Sequence, residues 1–184
     1  MSERNERFDG WAERYDDGSR VRPGFRSRGM RGCSREALAA RSAGLGCAVT
    51  GVGFSEPVLA QARRNVPGAD FRQLDLLGAR GGLEHERFNA VVSAYVLHEF
   101  DLETKVDLLT RLAALLTPGG RVVVGDVSFL NEKARVAAYE AWRTVWDEDE
   151  HYWTAADALP VVRQTGFTVS YRQVSFCAGV YTFR

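Results

Sequence analysis

A chain of 184 residues, 45% hydrophobic and 26% charged, reads as one soluble globular domain able to bury a substantial core. Its 24 basic and 24 acidic residues cancel, so no global field recruits nucleic acid or a membrane surface. No stretch approaches the roughly 20 apolar residues of a bilayer span, the polar residues 1–7 predict no signal peptide, and three cysteines without metal spacing (Cys33, Cys47, Cys177) suit reduced thiols in a cytoplasm.

Phe8, Trp11, Ala12 and Tyr15 fall on one face of a short helix, which makes residues 1–20 a helical cap. Residues 16–31 are polar and arginine-rich. Ser34 is placed to N-cap a helix over 35–43 with Gly44 as its stop. A strand over 48–52 follows, then a helix capped by Ser55 that ends before Pro67. Residues 71–74 read as a short strand closed by Asp75, and 78–87 as a polar loop. Residues 89–94 form a buried strand. Asp101 caps a strong helix with apolar positions Leu102, Val106, Leu109, Leu112 and Leu116. Thr117-Pro118-Gly119-Gly120 turns the chain into a strand over 121–126. Helices near 131–146 and 154–165 precede two β-rich runs, 168–175 and 178–183. Strands alternating with helices predict a mostly parallel sheet with helices on both faces. The last two runs are too close for a helical crossover and pair as an antiparallel hairpin.

Five short motifs then line up. Trp11-Ala12-Glu13-Arg14-Tyr15-Asp16 opens the chain, and Val49-Thr50-Gly51-Val52-Gly53-Phe54-Ser55 runs into the Val58–Arg63 helix. Phe71-Arg72-Gln73-Leu74-Asp75, the stretch from Phe88 to Phe100 with its Leu97-His98-Glu99, and Leu115-Leu116-Thr117-Pro118-Gly119-Gly120-Arg121 complete the set. In this order and spacing the chain resembles the class I S-adenosylmethionine-dependent methyltransferases. The resemblance implies an α/β fold with a Rossmann-like, seven-stranded methyltransferase sheet, mostly parallel with a C-terminal antiparallel hairpin, as a single domain over 1–184. It implies methyl transfer with S-adenosylmethionine as cofactor. A small-molecule acceptor is expected because the chain has little beyond the core fold to hold a macromolecule, and the balanced charge makes a membrane or nucleic-acid partner unexpected. The acceptor and the oligomeric state are not read from the sequence.

The family's glycine loop, approximately D-x-G-C-G-T-G-x-L, falls on Gly32-Cys33-Ser34-Arg35-Glu36-Ala37-Leu38 by gap-free counting back from strand two. Ser34 and Glu36 stand where glycines belong, and strand one falls on the arginine-rich 25–31 where a buried central strand would be apolar. A side chain at a loop position with positive φ costs roughly 1–3 kcal/mol. The acidic residue that holds the ribose hydroxyls ends strand two, about 20 residues past the loop; here that position is Gly53. Each charge-assisted hydrogen bond lost there is worth roughly 1.5–3 kcal/mol.

The resemblance places cofactor contacts at Gly32, Ser34, Gly53, Asp75, Leu76, Ala94 and Tyr15, with Asp75 on the adenine side. No catalytic residue is assigned. His98, at the carboxyl edge after strand four, is the candidate, as general base, substrate contact or structural histidine. The alternative function is a catalytically impaired methyltransferase-fold protein with weak or no cofactor binding. The unbroken spacing from Gly32 to Gly53 fits substitutions or compensated frameshifts within residues 26–42. A nicotinamide oxidoreductase is disfavoured, because Gly44-Leu45-Gly46 follows the first helix instead of preceding it. Six arginines from Arg20 to Arg35 raise RNA modification, but no aromatic platform interleaves with them. Tyr152 and Trp153 are divided between a substrate pocket and core packing, and Asp147-Glu148-Asp149-Glu150 reads as a solvated helix end.

Overall fold

A computed structural model describes residues 35–78, 83–144 and 146–184. The expected cap helix over 8–15 with Tyr15, the strand over 25–31, and Gly32, Cys33 and Ser34 lie outside the described residues. The chain divides into two compact units, residues 1–81 and 82–184.

In the first unit, α1 (Arg35–Gly44) is an alanine-rich helix that buries Ala39. The helix stops at Gly44 as expected, and the left-handed residue that turns the chain beyond it is Gly46 (φ 82°), whose N–H reaches Ala43 O at 2.9 Å. Strand β1 (Thr50–Gly53) pairs in parallel with β2 (Asp70–Gln73), in the register Thr50–Asp70 to Gly53–Gln73. Between them α2 (Glu56–Asn65) starts after Ser55 with Pro57 in its first turn and buries Leu59 and Ala62. Arg63 ties the helix to β2 by donating to Phe71 O at 2.8 Å.

The second unit is built on a longer sheet. Strand β3 (Phe88–Ala94) runs parallel to β4 (Leu116–Phe129), which pairs antiparallel with β7 (Ala178–Phe183), itself antiparallel to β6 (Val169–Ser175). A two-residue strand, β5 (Trp153–Thr154), adds in parallel to the far end of β4. Helix α3 (Leu102–Ala113) links β3 to β4, α4 (Glu132–Trp142) follows β4, and α5 (Ala155–Gln164) follows β5. Asp101 caps α3 as expected, accepting from Thr104 N–H at 2.8 Å. Leu102, Val106, Leu109 and Leu112 pack on one core cluster with Val122, Val124, Trp153, Tyr181 and Phe183.

Two expectations are corrected here. Leu116 belongs to β4 and not to the preceding helix, which ends at Ala113. The turn expected at 117–120 is a bulge inside β4: partners run Phe88–Leu116, then Ala90–Arg121, so β4 carries extra residues against β3. Gly119 (φ 78°) takes the left-handed conformation this kink requires. The closing hairpin is as expected. Among the described residues there are seven strands, in one sheet of two and one of five, and the architecture is α/β and Rossmann-like with parallel and antiparallel pairs. No described helix is long and apolar enough to cross a membrane.

Candidate functional site

In parallel sheets ligands gather at the carboxyl ends of the strands. In the first unit those ends are Gly53 and the turn after Gln73. Leu74 N–H donates to Gly53 O at 2.8 Å and Gln73 Nε2 to Phe54 O at 2.9 Å, which fixes the two strand ends side by side. Asp75 is exposed, and its Oδ1 accepts the Leu77 N–H at 2.9 Å, so the carboxylate is held by its own turn. Leu76 beside it is half-buried. Gly53 brings no carboxylate to this edge. A Cβ there would meet Leu59 Cδ2 at 3.5 Å, an ordinary contact, so the backbone has room for a side chain.

In the second unit β3 ends at Ala94, which is paired with Gly125 of β4. Tyr95 (φ 53°) lies in the left-handed region, a conformation costing roughly 1–2 kcal/mol for a non-glycine residue. Its N–H still reaches Gly125 O at 2.9 Å, and the chain then turns inward through a short 3₁₀ turn, Leu97–Glu99. His98 is thereby carried into the interior, with 8% of its surface exposed.

What receives it follows from the period of β4. Val122, Val124, Asp126 and Ser128 alternate along the strand and are all buried, so a carboxylate at 126 necessarily faces the core. Asp126 is saturated with donors. Its Oδ1 lies 2.5 Å from His98 Nδ1 and accepts the Val127 N–H at 2.9 Å. Its Oδ2 accepts the His98 backbone N–H at 2.9 Å and the Trp153 indole N–H at 3.2 Å. Burial pulls the His98 pKa down, but the hydrogen bond and charge of Asp126, with Glu150 and Glu99 behind them, outweigh it and raise it above 6.5.

Lys105 is equally buried. Its ammonium donates to His151 O and sits 4.9 Å from the Trp153 ring centroid. Desolvation pushes its pKa down to about 8 against the pull of Asp126 and Asp101. Beside this cluster opens a cleft of about 360 Å³ whose walls include Lys105, Glu150, Tyr152, Trp153 and Asp157.

The structure thus sets Gly53, Asp75 and Leu76 at the strand ends of the first unit, and Ala94 and His98 at those of the second; Gly32, Ser34 and Tyr15 lie outside the described residues. His98 is joined to Asp126, a pairing that sequence reading passed over although an acid at the end of Val122-Val123-Val124-Gly125 demands a partner. Glu150, read as part of a solvated acidic run, lies against His98, its Oε1 3.8 Å from Nε2. Trp153 packs in the core, where it is 2% exposed, and it also borders the cleft.

This arrangement, strands and helices with an antiparallel close and a polar edge at the strand ends, is that of the Rossmann-like methyltransferase fold. Residues 31–120 match a family model described as a methyltransferase domain. An uncharacterized methyltransferase of Mycobacterium tuberculosis is 38% identical over 106 residues, covering 56% of this chain and 51% of that protein. One from Anoxybacillus flavithermus is 31% identical over 96 residues, covering 48% of this chain and 45% of its own length. The chain spans about half the length of these relatives. Among solved structures, magnesium protoporphyrin IX methyltransferase from Synechocystis, with bound SAH, superposes with a TM-score of 0.63 at 16% identity, covering 83% of this chain and 70% of that one. Human N-acetylserotonin methyltransferase in complex with SAM gives 0.61 at 20% identity, covering 80% and 44%. The chain thus has the Rossmann-like methyltransferase fold, and its residues 31–120 are similar to a methyltransferase domain.

Proposed function

We propose that the chain carries out S-adenosylmethionine-dependent methyl transfer to a small-molecule acceptor, on a seven-stranded Rossmann-like sheet. The observation that carries the reading is the match of residues 31–120 to the methyltransferase domain, joined to the fold it shares with structures solved with SAM or SAH. Gly32, Ser34, Asp75, Leu76, Ala94 and Tyr15 are the residues proposed for cofactor contacts, with Asp75 on the adenine side. When bound, the cofactor supplies an electrophilic methyl group on sulfur. The chain's own residues then serve to align the acceptor and exclude water. The cleft along Lys105, Glu150, Tyr152 and Trp153 suits an acceptor of modest size with polar groups. His98, locked on Asp126, positions the junction between β3 and α3; no residue is assigned as the base.

A second reading is favoured by one specific observation. Gly53 ends β1 at the position where the resemblance puts the ribose-holding acid, while Asp75, the residue expected on the adenine side, is kept. On that reading the chain is a methyltransferase-fold protein with impaired cofactor binding. Calorimetric titration with S-adenosylmethionine and S-adenosylhomocysteine separates the two. Saturable heat supports methyl transfer; no heat at millimolar ligand overturns it in favour of the impaired form.

A further inference from the structure

The side chain of His98 is nine-tenths buried and cannot rotate freely. Asp126 holds Nδ1 at 2.5 Å and the His98 backbone N–H at 2.9 Å, so in the neutral ring the proton sits on Nδ1 and the lone pair on Nε2. That lone pair faces two carboxylates, Glu99 Oε1 at 3.7 Å and Glu150 Oε1 at 3.8 Å. Both lie beyond hydrogen-bond reach of Nε2. One ligand atom from each of the three residues falls within 4.8 Å of the others. Around a divalent ion, bonds of about 2.0–2.2 Å set neighbouring ligand atoms roughly 3.3–3.6 Å apart, so closure of the two glutamates, whose side chains are 26% and 23% exposed, completes the geometry.

From this we propose that His98, Glu99 and Glu150 bind one divalent transition-metal ion, with Zn²⁺ the best fit to one imidazole and two carboxylates. Asp126 is then the outer carboxylate that orients the ligating histidine. The glutamate from the distant loop is delivered on a short tether: His151, next to Glu150, donates its N–H to His98 O at 2.6 Å. Three carboxylates, Asp126, Glu99 and Glu150, surround the one imidazole, and this concentration of negative charge favours a cation there. Glu150 also lines the cleft, which gives the ion a route in from solvent. The site needs nothing from the cofactor side of the chain and stands whether or not methyl transfer occurs.

The test uses the intact chain, stripped with a chelator and dialysed. Competition titration with Zn²⁺ against a chromophoric chelator should show one tight equivalent, and Co²⁺ should give visible absorption bands of a nitrogen- and oxygen-ligated ion. Glu150→Gln and Glu99→Gln, which keep the side-chain shape, should each weaken binding at least tenfold with an unchanged far-UV spectrum. The proposal is overturned if Zn²⁺ fails to bind at millimolar concentration, which would leave His98 as a structural residue alone. It is equally overturned if both glutamine variants bind like the parent, or if Cys47→Ser removes the binding.

Discussion

The two units treat the polar ends of their strands in opposite ways. In the first, the edge is open among the described residues: β1 ends on a bare glycine, Asp75 is exposed, and backbone hydrogen bonds do the positioning. In the second, the edge is closed over a buried network in which Asp126 meets donors from β3's turn, from β4 and from β5. The difference is one of chemistry more than of topology, since both edges are built from parallel strands of one family fold. Where the carboxylate is buried, its loss is a loss of stability. Where it is absent from an open edge, its restoration costs the fold little and changes ligand affinity.

The largest effect expected from this contrast falls on the closed edge. Asp126→Ala strips partners from His98, Trp153 and Val127 inside the core, and it should destabilise the protein by about 3–5 kcal/mol in urea denaturation. A loss below about 1 kcal/mol would mean that the network is not holding the second unit together.

Lys105 gives a pH test of the same interior. Its folded pKa lies near 8 against 10.5 when unfolded, so between these values the unfolded chain binds more protons. Stability should therefore rise with pH across that window, by up to about 3 kcal/mol, relative to Lys105→Met measured in parallel. A parallel pH profile for the two proteins would show that the lysine is not desolvated.

On the open edge, Gly53→Asp has space for its Cβ against Leu59 and should leave the melting temperature nearly unchanged. Restored hydrogen bonds to ribose hydroxyls are worth about 1.5–3 kcal/mol, a ten- to hundredfold gain in cofactor affinity. The smallest effect is expected at the surface of the second unit. Asn131 caps α4 by accepting from Ala134 N–H at 3.0 Å, and Asn131→Ala should cost about 1 kcal/mol in the same denaturation assay.

Much of the architecture was legible in the sequence because local signals were strong. Asp101 before Leu102, Val106, Leu109 and Leu112 marked both the cap and the buried face of α3, and the closeness of 168–175 to 178–183 dictated a hairpin. The bulge at Gly119 was misread as a turn, since the same residues serve either and only pairing with β3 decides between them. Leu116 kept helical spacing by coincidence after α3 had ended. The site was legible only in its defects: Gly53 was recognisable because a motif surrounds it. The buried network was not, because His98, Lys105, Asp126 and Glu150 lie far apart in sequence and each looks ordinary in its own neighbourhood. Only the alternation of Val122, Val124, Asp126 and Ser128 hinted that an acid is turned inward.

The central claim is that this chain keeps the methyltransferase fold while Gly53 stands at the position proposed for the ribose-binding acid. Calorimetric titration of S-adenosylhomocysteine into the wild type and into Gly53→Asp, side by side, tests it most directly. The account predicts weak but saturable binding to the wild type and at least tenfold tighter binding to the variant. Equal affinities in the two proteins, or no heat from either at millimolar ligand, would contradict it.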